Sequence, residues 1–452
     1  MKLLHISDIH FGIENFSKID PTTGLPSRLI DFTKAFDRAV DRAIEFGVDA
    51  VLFTGDAYKS RDPNPTVQRE FAKRISNLSA KGIAVYLLTG NHDLPNMTNR
   101  AHSIEIFETL NVPNVYVARK ISLTIVKTKA GPLQIISIPW LTRSNLIAKE
   151  EYKTFSIDEL NQKMLEKIDN LFTNEIAKLD PQIPAVLAVH ASINGAVYSS
   201  ERSIMLGQDL VLDQAALHSE NFDYVAVGHI HKHQSFGRGD VPIVYPGSIE
   251  RIDFGEVKED KGFVLLTIDD PGGGRSSRST DWKFQIDHET RPFKEFEINL
   301  KNLDPNDLLN PTQAAINYIQ KKAAQYERGL QEAIVKVILQ LRPDQEALLK
   351  ERDIQRLLLE EMGVYHIAAI KREVEHVRRT RLAGLKPEEL SPLQLLDKHL
   401  ESKSVPAHRR ELLLKYATAL INGANPEIDA ESQVIQTTRQ LETLKTALPT
   451  LF

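Results

Sequence analysis

Five short segments of this chain each deliver metal-binding side chains directly after an apolar run. They are Asp8-Ile9-His10, Gly55-Asp56, Gly90-Asn91-His92-Asp93, the isolated His190, and Gly228-His229-Ile230-His231. A short, wholly apolar run bounded by glycine or an acid reads as a buried strand leaving a sheet. Polar groups spread from position 8 to position 231 can meet if these strand ends lie along one edge of a sheet, where open α/β folds build their sites. That arrangement is the strongest constraint the sequence places on the fold.

Together the segments offer two carboxylates (Asp8 and Asp56), the Asn91 amide and four imidazoles (His10, His190, His229 and His231), with His92 left over. This set suffices for two divalent ions sharing one bridging group. Such a pair provides a hydroxide at neutral pH and relieves charge on phosphoryl oxygens, as phosphoester hydrolysis requires. Asp56 follows a strand and a glycine and is the candidate bridge. Asp8 and His10 lie two apart, which places them on one side of an extended segment, and His229 and His231 repeat the device. Oxygen ligands mixed with imidazole suit manganese, iron or zinc better than magnesium. His92 directly follows a ligand and is expected to face the substrate, with Asp93 orienting it as carboxylates orient catalytic imidazoles.

Each segment alone has an ordinary reading. Asp-x-His is usually a polar loop, Gly-Asp a turn, and a single His a half-buried structural residue. Five of them in one series of strand ends argue for metal. His5 and His102 lie near the motifs and read as structural; His233 is evenly balanced between packing and contact with the ligands.

The length of 452 residues predicts two or three domains. The absence of cysteine excludes disulfides and thiolate-bound metal. A net charge of −5 argues against a protein that coats nucleic acid, although bound metal would offset part of the acidity around the ligands. The opening MKLLHISDIH is too short and too charged for a signal peptide, and no stretch has the length and apolarity of a membrane span, so a cytoplasmic protein is expected.

Along the chain, Leu29, Phe32, Phe36, Val40 and Ile44 predict one helical face ended by Gly47, and Pro65 starts a second helix. The β-α-β-α-β spacing predicts right-handed crossovers in a sheet covered on both faces. The first domain is placed at 1–275. The run PGGGRSSRST at 271–280 reads as a flexible hairpin tip or domain joint. A smaller α/β unit is placed at 282–376, a linker at 377–390, and a helical tail at 391–452, with a start at Ser391-Pro392 and a stop at Asn422-Gly423. The basic residues at 371–381 read as a solvated linker. Apolar stripes at 392–403 and 408–421 fit packing of the two helices on each other or docking on a partner helix.

The motifs D-x-H, G-D, G-N-H-D, a lone His and G-H-x-H resemble those of the calcineurin-like metallophosphoesterase superfamily across residues 1–270. KLLHISDIHFG, GDAYKSRDPNPT and YPGSIERIDFGEVKEDKGFVLL at 245–266 resemble more closely the SbcD-type nuclease subunits of double-strand-break repair, and this likeness spans nearly the whole chain. It implies an α/β fold: a two-layered β-sandwich flanked by helices, with a smaller α/β capping domain and a C-terminal helical tail. It implies one ion held by Asp8, His10, Asp56 and His231, a second held by Asp56, Asn91, His190 and His229, and His92 as the catalytic histidine beside Asp93. Manganese would be the working ion. The cap would help bind DNA, and the C-terminal helices would grip the coiled-coil base of an SbcC-type ATPase. The protein would be a homodimer in the nucleoid-associated cytoplasm. Its activity would be exonuclease on double-stranded ends and endonuclease on single strands and hairpins. One departure is Lys59, which stands where many relatives carry a histidine linked to exonuclease action; this leaves the balance of the two activities open. The alternatives are a generic metallophosphoesterase (a phosphatase or small-nucleotide phosphodiesterase) and a structural subunit that binds DNA ends without cutting. The long segment after residue 270 favours the nuclease over the first, and the full ligand set argues against the second.

Overall fold

The apolar runs of the sequence form strands that stack in two sheets. A computed structural model describes residues 1–95, 100–141, 155–199, 211–237, 241–303, 310–375, 391–403 and 405–421. Its strands are β1 (Lys2–Ile6), β2 (Ala50–Phe53), β3 (Ala84–Leu88), β4 (Val115–Ala118), β5 (Ser122–Thr128), β6 (Gly131–Ile138), β7 (Ala185–His190), β8 (Ser192–Ile193), β9 (Val211–Leu212), β10 (Tyr224–Gly228), β11 (Gln234–Phe236), β12 (Ile243–Tyr245), β13 (Gly262–Asp269), β14 (Ser279–Ile286), β15 (Phe293–Asn299), β16 (Ile334–Leu341) and β17 (His366–Val374). One six-stranded sheet has the order β14-β13-β1-β2-β3-β4 and the other β11-β12-β10-β7-β6-β5. The central strands are parallel, while β13, β14, β5 and β11 run antiparallel to their neighbours.

Successive strand residues point to opposite faces, and here both faces are apolar. Leu3, Leu52 and Tyr86 of the first sheet meet Leu133, Val186 and Tyr224 of the second between the layers. Leu4, Val51 and Phe53 face outward onto Phe32, Phe36 and Phe71 of the helices Ser27–Phe46 and Pro65–Ala80. Met164, Ile168 and Phe172 of helix Ile157–Ile176 cover the second sheet in the same way. Each fully buried Phe contributes about 1.5–3 kcal/mol. The fold is therefore the two-layered α/β sandwich flanked by helices. The β-α-β-α-β pattern alone did not show that one cover of the first sheet is the second sheet.

Local signals set the helix ends. Gly47 takes a left-handed φ of 70°, and its N–H returns to the carbonyls of Ala43 and Ile44. Asn64 accepts the Val67 N–H ahead of Pro65.

The run 271–280 is a hairpin tip, and it is tethered. Arg275 and Arg278 both reach the buried Asp223 carboxylate, at 2.8 and 3.1 Å. Pairing from Gly262↔Ile286 to Asp269↔Ser279 keeps residues 279–286 in the first sheet. The sandwich thus continues past 275 and 282, and the smaller unit starts at β15. On this edge strand Trp282 and Phe284 turn to the core between the sheets while Asp281 and Lys283 face away, so the sequence shows no long apolar run there.

The smaller unit is a parallel sheet, β15-β16-β17, with Phe296, Val337 and Leu339 packed against Ile319 of helix Pro311–Ala323 and against Leu358. It lies with the sandwich in one compact unit, Met1–Val374; Glu375–Phe452 forms a second. In that second unit Ser391 and Gln394 form a capping box on helix Pro392–Ser402. Arg410 of helix Ala407–Ile421 reaches Asp397 at 3.1 Å, while Leu412, Leu413, Leu420 and Ile421 stay exposed. The linker placed at 377–390 and the stop at Asn422-Gly423 lie outside the described residues. Among the described residues, no helix is long and apolar enough to cross a membrane.

Candidate metal centre

The five segments leave β1, β2, β3, β7 and β10 at one end of the sandwich. The first two loops travel together: Asp8 N donates to Gly55 O, and His10 N to Asp56 O, both at 3.1 Å. Asp8, His10, Asp56 and His229 all have positive φ, at 51°, 48°, 58° and 103°. L-residues disfavour this region, and such conformations persist where the surroundings over-determine them. Here they turn four side chains inward. The motif glycines leave the space. A Cβ at Gly55 would overlap the His190 ring, one at Gly90 the Asp56 carboxylate, and one at Gly228 the Thr54 carbonyl and Ser7 hydroxyl.

Asp56 divides its carboxylate. Oδ2 lies 3.6 Å from His10 Nε2, and Oδ1 lies 3.6 Å from His190 Nε2. On the first side His10 Nε2 is 3.0 Å from His231 Nε2 and 3.9 Å from Asp8 Oδ1. On the second side Asn91 Oδ1 is 3.0 Å from His190 Nε2 and 3.1 Å from His229 Nδ1. All seven groups are buried. Burial, aided by the Asp93 and Asp8 charges, pushes the Asp56 carboxyl well up, and burial raises Asp8. Burial likewise pushes His10 and His190 well down, keeping them neutral. Carboxylates crowded out of water beside unprotonated imidazoles favour a cation among them. The donor set, oxygen and imidazole in two groups with a shared carboxylate, fits two divalent ions.

Groups behind these side chains orient them. His190 Nδ1 lies 2.6 Å from the Thr54 carbonyl, which leaves Nε2 for the site. His231 Nδ1 lies 2.8 Å from Glu256 Oε1. The His229 N–H donates to the Asp8 carboxylate at 3.0 Å, and the Trp140 ring covers the His229 ring at 4.8 Å.

His92 lines a cavity of about 380 Å³ together with His10, Asn15, Asp56, Lys59 and Asn91. Its N–H donates to Asp56 Oδ1 at 2.8 Å, and its Nδ1 lies 2.9 Å from the Lys59 carbonyl. Burial, then the Lys59 charge, brings the His92 pKa down to about 4. The reading of Asp93 needs correction. Asp93 does not orient His92; its carboxylate is buried and accepts the backbone N–H groups of Asp56 (2.9 Å), Ala57 (3.0 Å) and Gly90 (2.9 Å). The backbone carbonyl of Lys59 takes the place expected for Asp93, because the tight loop after Asp56 brings its amides, not the His92 ring, to the acid.

His5 is structural: it bridges the Tyr224 and Thr54 hydroxyls at 3.0 Å each. His102 is buried 3.7 Å from Glu105. His233 stacks on Phe284 at 3.8 Å, a packing role. Sequence reasoning missed Glu256, Lys261 and Trp140. The first two lie in the stretch 245–266, which carried the family likeness, and Trp140 follows the apolar run of β6, at the end of the sandwich where the five segments leave their strands.

A family model described as calcineurin-like phosphoesterase matches residues 1–233. The chain is similar to the DNA double-strand break repair protein Mre11 of Archaeoglobus fulgidus, at 25% identity over 263 residues, covering 57% of this chain and 52% of that one. It is similar to the SbcD component of the SbcCD nuclease of Escherichia coli K12, at 28% over 278 residues, covering 59% and 65%. A third relative, the Mre11 protein of Methanocaldococcus jannaschii, is 24% identical over 308 residues, covering 67% and 70%. The chain spans 52% and 65% of the length of the first two.

Proposed function

The chain belongs to the calcineurin-like phosphoesterase family, and from that membership we propose that it is a DNA nuclease of double-strand-break repair. It would hydrolyse phosphodiesters at double-stranded ends, single strands and hairpins, with two divalent ions, manganese the expected pair. The observation that carries the reading is the divided carboxylate of Asp56, with His10 on one side and His190 on the other. The named activities of the similar proteins support DNA as the substrate.

Asp8, His10, Asp56 and His231 would hold one ion; Asp56, Asn91, His190 and His229 would hold the other. When bound, the ions supply a nucleophile at neutral pH and neutralise phosphoryl oxygens. His92 Nδ1 donates to the Lys59 carbonyl, which leaves Nε2 for the cavity. An arriving phosphodiester brings negative charge that raises the ring's proton affinity. The proton so gained at Nε2 can pass to the leaving oxygen as its bond to phosphorus breaks. Lys59 presents an ammonium at the cavity, a point charge for a phosphate rather than a proton acceptor. In the same proposal the smaller α/β unit contacts DNA, and the exposed leucines of the C-terminal helices meet a coiled-coil ATPase of the SbcC type. The chain acts as a homodimer.

The test is cleavage of end-labelled linear and hairpin duplex DNA by the purified chain in manganese, beside His92→Ala. Cutting by the wild type alone is the expected result. Absence of cutting, with the ATPase partner present as well, overturns the proposal. A second reading, a small-molecule phosphodiesterase, draws on a cavity volume within the range of small-ligand sites. Turnover of bis-p-nitrophenyl phosphate with no DNA cleavage would select it.

A further inference from the structure

Behind the ligands lies an ion pair with no part in the reaction just described. Glu256 and Lys261 are wholly inaccessible, and Lys261 Nζ lies 2.8 Å from Glu256 Oε2. Nζ also reaches Glu259 Oε2 at 2.9 Å and donates to Ser248 Oγ at 2.9 Å. Removing two charges from water is costly, and an apolar pair of the same volume commonly serves folding as well or better. This pair does something an apolar pair cannot: it grips His231 at both ends. The His231 ring presents Nδ1 to Glu256 Oε1 at 2.8 Å. Lys261 donates to the His231 backbone carbonyl at 3.0 Å. The Ile252 N–H, 3.0 Å from Oε2, fixes the carboxylate from a third direction.

A carboxylate accepting from Nδ1 places the imidazole proton there and leaves the lone pair on Nε2. Nε2 is the atom 3.0 Å from His10 Nε2, on the Asp8 side of the site. The matching nitrogen of His190 meets only a neutral carbonyl, that of Thr54. His231 and His190 thus differ in the charge behind their rings.

We infer that Glu256, clamped by Lys261, is a positioning residue that holds His231 in the Nε2-ligating form and strengthens the hold on the ion beside Asp8 and His10. The inference rests on the two-ion reading of the site.

The test is a manganese titration of the metal-free full-length chain, with free manganese followed by electron paramagnetic resonance and bound manganese by tryptophan quenching. Of the two tryptophans, Trp140 stands 4.8 Å from the His229 ring, so its quenching reports the second half of the site. Two ions are expected in the wild type. Glu256→Gln should loosen one ion by about ten- to hundredfold and leave the ion that quenches Trp140 within about twofold. Glu256→Asp, which keeps the charge, should recover most of the loss. Should Glu256→Gln not fold, Glu256→Gln with Lys261→Met removes the buried charges together and is read in the same way. Equal weakening of both ions, or no weakening of either, overturns the inference while the two-ion reading stands. Fewer than two ions in the wild type overturns both. None of these outcomes depends on whether DNA is cut.

Discussion

Asp93 holds the backbone of Asp56: its Oδ2 accepts the Asp56 N–H at 2.9 Å, and the same carboxylate takes the N–H groups of Ala57 and Gly90. Buried donors left without an acceptor cost about 1–3 kcal/mol each. Asp93→Ala should therefore lower the stability of the metal-free protein by about 3 kcal/mol or more and release the ions by freeing the Asp56 loop. Urea unfolding and a metal count on the same sample check this. Wild-type stability with only cleavage lost would restore the orienting role toward His92.

Asp56→Ala should abolish binding at both metal positions, because each oxygen of the carboxylate faces a different group of ligands. His190→Ala should cost one ion and spare the other. Bound metal per chain, measured after gel filtration in manganese, separates the two variants. One tight ion surviving in Asp56→Ala would show that Asp56 does not bridge.

Gly90→Ala would set a methyl group against the Asp56 carboxylate and backbone nitrogen. Since the loop is held by Asp93, Asp56 must move, and metal affinity should fall at least about tenfold, with about 1–3 kcal/mol of stability lost to overpacking. Gly47→Ala is the control. Its φ is 70° and nothing lies within 4 Å of the new Cβ. It should cost about 1–2 kcal/mol of backbone strain and leave metal binding unchanged. Equal metal loss in both variants would mean that the Gly90 effect is general destabilisation.

The clustered side chains were legible because each ends or follows a strand, and a strand buried on both faces announces itself as an unbroken apolar run. Gly47 and Asn64-Pro65 were legible because helix ends are settled within a few residues. Asp93 was misread because adjacency to His92 in sequence says nothing of which group the acid turns to; three backbone amides reach it first. Glu256 and Lys261 carry no period and no spacing, so a buried ion pair built by a loop looks like surface charge until the fold closes on it. Strand β14 was hidden for a related reason: it lies at an edge, and only alternate residues are apolar.

His5 supplies a prediction independent of metal and DNA. It lies between the sheets, bridging Tyr224 and Thr54, and burial lowers its pKa to about 3 from an ordinary value of 6.5. The folded state therefore keeps His5 neutral where the unfolded chain would protonate it. The stability it contributes is fully present above pH 6.5. It is lost as pH falls from 6.5 toward 3, at about 1.4 kcal/mol per pH unit. His5→Gln can still reach one hydroxyl but cannot titrate. Urea unfolding of both metal-free proteins between pH 7 and pH 4 should start with the variant less stable, by about 1–3 kcal/mol for the lost hydrogen bond and imperfect fit. The difference should close and then reverse by about pH 4, because the wild type loses about 3.4 kcal/mol relative to the variant below pH 6.5. Other titrating groups are common to both chains and cancel. Parallel stability curves would mean that His5 gains a proton in the folded state as easily as in the unfolded one, and that its burial between the sheets is not what sets its charge.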